Sequence, residues 1–285
     1  MPESETHTLE VAGAVLRYDV RAVPDSTEPI LLMIGSPMDA SGFAALAGHF
    51  TDRTVVTYDP RGAGRSERTE GGESTPERHA DDLHRLIGAL GGGPVDLFAS
   101  SGGAVNALAL VARHPEQVRT LVAHEPPAAQ VLPDRDEALA AVVDIRQTYE
   151  RSGFGPAMAK FIAVISLRGP VPADFAALPA PDPAAFGLPA GDDGTRDDVL
   201  LGQNLMTCTH HEHDFEALRA APTRIVVGVG AESESEFAHR AGRAVAERLG
   251  LEPVVFPSHH GGFLAGEFGM KGDPDGFAAT LREVL

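Results

Sequence analysis

The chain has one cysteine, Cys208, in 285 residues, which excludes an intrachain disulfide and fits a reducing compartment. It is also short of cations. Lys and Arg total 23 against 41 Asp and Glu, a formal net charge of −18, so nucleic acid and anionic membrane surfaces are poor partners. No apolar run approaches the length of a membrane span. The start, Met1 to His7, is acidic and lacks the apolar core of an export signal. These absences predict a soluble, cytoplasmic protein, monomer or homodimer, acting on a small-molecule substrate. At 43% hydrophobic, the chain is long enough to bury a large core in one or two domains.

The apolar pattern is that of alternating strands and helices. Two strands around 7–12 and 14–22 form a hairpin at Gly13. Ile30 to Ile34 is a continuous apolar run ending in Gly35-Ser36-Pro37, as expected of a strand buried on both faces of a parallel sheet. Strands at Thr54–Tyr58, Val95–Ser100 and Thr120–His124 alternate with helices near 40–50 and 76–90 and a helix after Ser101. This order predicts parallel βαβ units with right-handed crossovers. The rhythm stops after Pro126-Pro127. Helical patterns near 136–151, 153–167 and 195–207, with a Pro- and Ala-rich stretch at 169–190, fill the next segment. It returns at Arg224–Gly230, a helix near 234–249, Pro253–Phe256 and a final helix near 274–285. The economical reading is an insertion within one sheet: a core of 1–127 and 221–285, and an inserted 128–220. No internal repeat is visible.

The most informative segment is Val95-Asp96-Leu97-Phe98-Ala99-Ser100-Ser101-Gly102-Gly103. A strand runs into a helix with a serine at the turn, the requirement of a nucleophile elbow. Such a turn is sharp and strained, and only small residues two positions either side let strand and helix approach. Centred on Ser101, those residues are Ala99 and Gly103. Centred on Ser100, Phe98 would have to fit, and it is too large. Ser101 is therefore the candidate nucleophile.

Taken in order, the Gly35-Ser36-Pro37 turn, Asp59-Pro60-Arg61-Gly62-Ala63-Gly64-Arg65-Ser66, the elbow, and a late His-Gly turn resemble the α/β-hydrolase superfamily over essentially the whole chain. The likeness is greatest to cap-bearing serine hydrolases common in actinobacteria, which carry a run like His124-Glu125-Pro126-Pro127. The resemblance implies an eight-stranded, mostly parallel sheet flanked by helices, a helical cap after strand six, and no cofactor. It also implies roles. The backbone N–H groups of Gly102 and Ser36 would form the oxyanion hole, although Ile34 stands where the family usually has histidine. In the family's chain order of Ser, acid, His, the base aligns with His260, and His259 becomes its neighbour. The acid has two candidates. Ser233 occupies the usual aspartate slot and Glu232 lies one residue short of it. Glu125 ends the strand after the elbow helix, where some members place their acid, and it is preferred. Substrate selection falls to the insertion, with Met38, Phe161, Ile165 and Met206 as candidate pocket residues.

The activity implied is carboxylesterase-like acyl transfer on an apolar ester, thioester or lactone. A non-hydrolytic binder, a rearrangement or cyclisation enzyme, and a cofactor-free perhydrolase are the alternatives on the same fold. Cys208, His210, His211, Glu212 and His213 lack the spacing of a zinc site and read as a solvated, His-rich segment, so no metal is expected. Asp59 to Ser66 lacks the third glycine of a dinucleotide fingerprint. Asp81 and Asp82 read as the wet face of their helix.

Overall fold

The computed structural model describes residues 4–285, so the reading of the extreme start at Met1–Glu3 lies outside the described residues. Strands β1 (Glu5–Val11) and β2 (Ala14–Arg21) pair antiparallel in the expected hairpin. Gly13 takes φ +73°, a left-handed conformation that glycine reaches without strain. Strands β3 (Leu31–Ile34), β4 (Val55–Asp59), β6 (Val95–Ser100), β7 (Val118–His124), β8 (Arg224–Gly230) and β9 (Val254–Phe256) complete the sheet. Its order is β1-β2-β4-β3-β6-β7-β8-β9, antiparallel across the first two pairings and parallel thereafter. The eight expected strands are all present. A two-residue strand, β5 (Glu67–Arg68), pairs with β2 in addition; its charged sequence carries no apolar alternation by which to foresee it.

Continuous apolar strands bury both faces, and the pleat divides their side chains between two cores. Leu32, Ile34, Leu97 and Ala99 pack against α2 (Pro76–Ala89), α3 (Gly102–Arg113) and α8 (Phe237–Leu249). Leu31, Met33 and Phe98 face the other way, onto α1 (Ala44–Gly48) and α9 (Pro274–Val284). Phe98 meets Phe263 and Phe277 edge to face, with centroids 5.6 and 5.5 Å apart.

Between β7 and β8 the chain leaves the sheet. Helices α4 (Arg135–Ser152), α5 (Phe154–Ile165) and α6 (Leu205–Thr209) build a third apolar cluster with Phe237 and Ala241 of α8. A single π-helical turn, Leu200–Asn204, runs directly into α6. Helix α7 (Phe215–Ala220), counted with the insertion on sequence, sends Phe215 and Leu218 into the sheet's own core. None of the described helices is long and apolar enough to cross a membrane.

Asp82 corrects the expectation of a wet helix face. It is 1% exposed and accepts from Arg61 Nε and Nη2, at 2.7 and 2.6 Å. Only Asp81 stays outside, paired with Arg113. The helix pattern alone could not register a buried arginine arriving from the loop after β4. Removing one partner of a buried pair strands the other's charge. Asp82→Ala should therefore cost about 3–5 kcal/mol of stability, read from urea unfolding.

Candidate active site

Successive crossovers from β3 run first to β4 and then to β6 on its other side, so the sheet has a topological switch between β3 and β6. Open α/β sheets offer a crevice at the carboxyl ends of such strands. Here the turns after those two strands carry Ser36 and Ser101. Both residues line a cavity of about 330 Å³ together with Gly102, Glu125 and His260.

Ser101 has φ 57° and ψ −129°, the strained turn the motif demands. Its neighbours explain why nothing larger fits. A Cβ on Gly103 would stand 2.9 Å from the Gly35 backbone, and one on Gly102 would stand 2.5 Å from the Ser36 carbonyl oxygen. Gly102 is the first residue of α3, and the first N–H groups of a helix have no intrahelical acceptor. The positive end of the α3 dipole therefore opens beside the serine, with Ser36 across from it.

Glu125 follows β7, fully buried and at φ 46°. Its Oε2 lies 2.6 Å from His260 Nδ1. Its Oε1 accepts from the Gly230 N–H at 2.8 Å and from the Ser233 hydroxyl at 2.5 Å. Glu232 is exposed, with only Ser258 Oγ at 3.5 Å from its carboxylate, and it does not reach the cavity. The structure thus brings Ser101, Glu125 and His260 together and leaves Glu232 out.

Burial alone would raise the Glu125 pKa. The His260 hydrogen bond and charge, with the Ser233 hydroxyl, outweigh it and hold the carboxyl well below its ordinary range. For His260 burial opposes the charged ring, and Glu125 prevails, so its pKa sits above the usual imidazole value. His124 stacks near His260 with centroids 6.0 Å apart, and burial pushes its own pKa down to about 4. It therefore adds no second cation at neutral pH. His259 turns away, its Nε2 3.2 Å from the Lys271 carbonyl oxygen.

Of the expected pocket residues, Phe161 and Ile165 line the cavity, beside Val142, Ile145, Leu200 and Leu205. Met38 and Met206 do not. Met38 packs under the turn against Gly42, and Met206 packs with the cluster inside the insertion. Apolarity serves a core as well as a pocket, so it does not tell the two apart. The His-rich segment is also corrected. Cys208 is buried on the cavity wall, its thiol pushed up to about 12 by burial and hence protonated. His211 is largely covered and lies 3.2 Å from Glu77. Among the described residues no group of three or more side chains is arranged to hold a metal.

Sequence reasoning missed Asn204, whose amide donates to Ser36 Oγ, and His239. The His239 Nδ1 lies 3.1 Å from the Gly230 carbonyl oxygen and 3.7 Å from Glu125 Oε1. Neither carries a local motif. Ser233 was legible only as the occupant of an expected acid slot.

A mostly parallel sheet with a cavity at its switch point, holding an elbow serine and a carboxylate–imidazole pair, defines a hydrolase of the α/β fold. The chain belongs to the alpha/beta hydrolase fold family, whose sequence model matches residues 28–185. It is similar to the Uncharacterized hydrolase YraK of Bacillus subtilis (strain 168), 32% identical over 265 residues, covering 90% of this chain and 89% of that one. The fold is shared with the enol-lactonase from Burkholderia xenovorans LB400 (TM-score 0.67, 18% identity, 98% and 99% of the two chains). It is shared also with a thermophilic esterase from Thermogutta terrifontis (TM-score 0.66, 21% identity, 99% and 97%).

The opposed influences on His260 give a direct test. Its ring should titrate above about 6.5 in the native protein. In Glu125→Gln only the charge of Glu236 is left to oppose the lowering effect of burial, so the titration should fall relative to the parent, as read by NMR of the ring protons.

Proposed function

We propose that the protein is a serine hydrolase cleaving a small-to-medium, mostly apolar ester, thioester or lactone through an acyl-enzyme. The observation that carries this reading is the 2.6 Å Glu125–His260 contact on the same cavity wall as Ser101. Ser101 Oγ attacks the carbonyl carbon while His260 Nε2 takes its proton. The carbonyl oxygen gains negative charge, which the Gly102 and Ser36 N–H groups stabilise. His260 then protonates the leaving group. In the second half it activates water, which releases the acid product and restores Ser101. Glu125 fixes the ring through Nδ1 and stabilises its positive charge without taking the proton.

The helical insertion acts as a cap and supplies half of the cavity's lining residues, including most of the apolar ones. That wall is apolar, and among the described residues no Lys or Arg lines it, whereas the carboxylates of Glu125 and Glu236 do. An anionic substrate would meet these carboxylates with no lining Lys or Arg to pair with in a desolvated site. A neutral acyl compound fits best. The enol-lactonase and esterase structures that share the fold support carbonyl chemistry of this kind.

Fluorophosphonate labelling followed by peptide mass analysis is the decisive experiment. Stoichiometric modification at Ser101, absent in Ser101→Ala, is the expected result; folded protein that takes no label would remove the hydrolase reading. On any ester that is turned over, Glu125→Gln should lower kcat by about 10²–10⁴-fold. Glu232→Gln should stay close to the parent rate. The reverse ranking would transfer the acid role to Glu232.

A further inference from the structure

The carboxylate of Glu125 has to keep one orientation to face His260, and the side chain that bears on it from behind is Ser233. Ser233 is 1% exposed and does not line the cavity, so it never meets substrate. Its hydroxyl lies between two acceptors, the Gly230 carbonyl oxygen at 3.2 Å and Glu125 Oε1 at 2.5 Å. A hydroxyl has a single proton to give. It goes to the nearer, charged oxygen, where a hydrogen bond is about twice as strong as a neutral one. A Cβ on Gly230 would stand 2.7 Å from the Ser233 oxygen, so a bare glycine at the end of β8 makes room for this contact.

The backbone that carries Ser233 matters as much as the bond it makes. Ala231 N donates to the Phe256 carbonyl and Glu232 N to the Ser258 carbonyl, both at 2.9 Å. Ser233 thus stands on backbone tied to the segment that reaches His260 two residues after Ser258. Its hydroxyl links the acid, at the end of β7, to the chain that bears the base. His260 Nδ1 meets the other carboxylate oxygen, Oε2, at 2.6 Å. Without the hydroxyl, Oε1 would keep only the Gly230 N–H among the described residues, since His239 Nδ1 is 3.7 Å away. The carboxylate could then turn about its terminal bond, a broad torsion with no steep well of its own.

We infer that Ser233 is a positioning residue whose hydroxyl locks the plane of the Glu125 carboxylate, so that Oε2 faces His260 and the ring can activate Ser101. This role rests on the hydrolase reading above and adds to it a residue remote from substrate. A hydroxyl present merely to satisfy a buried charge would support folding and leave the reactivity of Ser101 alone.

The test reads the rate at which a fluorophosphonate labels Ser101, which reports activation of the serine without the natural substrate. Rates are compared in the parent, Ser233→Ala, Glu125→Gln and the double variant, with folding read from the melting transition. Ser233→Ala should label about tenfold more slowly than the parent, the low end of what losing an orienting hydrogen bond costs at metal sites. In the Glu125→Gln background the same substitution should change the rate less than about twofold, because residues that act through one another are not additive. The His260 Nδ1 proton should also shift in the NMR spectrum of Ser233→Ala. Should alanine unfold the protein, Ser233→Cys takes its place, filling the same space with only a weak donor. Equal slowing in both backgrounds would make Ser233 a prop of its loop and overturn the inference. So would a parent-like rate or an unmoved proton. In each of these cases labelling of the parent at Ser101 leaves the hydrolase reading standing. A folded parent that takes no label removes both.

Discussion

The site depends on one hydrogen-bonded contact, between the buried carboxylate of Glu125 and the imidazole of His260. A carboxylate with no solvent exposure is tolerated only when each oxygen is satisfied. Oε2 faces the histidine ring, and Oε1 takes the Gly230 N–H and the Ser233 hydroxyl. Those partners come from the β8 strand and the loop beyond it, so the charge is stabilised only when β7 and β8 are in register. The same contact fixes which ring nitrogen faces Glu125 and which is left free. Sheet formation and site assembly are one event at this point.

Strain is concentrated around the same contact. Ser101, Glu125 and Ser258 all hold positive φ without being glycine, at 57°, 46° and 66°. Each such residue costs on the order of 1–3 kcal/mol and persists only where its surroundings fix it. The surroundings here are strand ladders. Ser101 N donates to the His124 carbonyl and Glu125 N to the Gly228 carbonyl, both at 2.9 Å, so two strained turns are tied to neighbouring strands. The energy of the packed sheet thus holds reactive side chains in geometries that a free loop would abandon.

The insertion contributes differently. Its helices pack on one another and on α8 through an ordinary apolar cluster, and they close the cavity with Phe161, Ile165 and Leu205. Among the described residues, Asn204 ties it by a polar bond to the Ser36 turn. The insertion therefore covers the cavity and adjoins the Ser36 turn.

Much of this was legible in the chain, because local chemistry decided it. Continuous apolar runs between Gly and Pro dictated buried parallel strands, Gly13 dictated the hairpin, and small residues around Ser101 dictated the elbow. Glu125 could be ranked above Glu232 because it ends a buried strand. Other features were hidden because they depend on long-range contacts that periodicity does not encode. Asp82 has the spacing of a surface residue until Arg61 arrives from another loop. Met38 and Met206 are apolar enough for a pocket but are spent in cores. Asn204, Ser233, His239 and Cys208 have no motif and acquire meaning only from what the fold sets beside them. The sequence by itself determined the succession of strands and helices along the chain, the elbow serine and the absence of charge suited to nucleic acid, since each follows from neighbouring residues or from bulk composition. Tertiary structure alone decided which carboxylate meets the imidazole and which side chain of the insertion meets the Ser36 turn. Both contacts join residues more than a hundred positions apart, and only packing can bring those together.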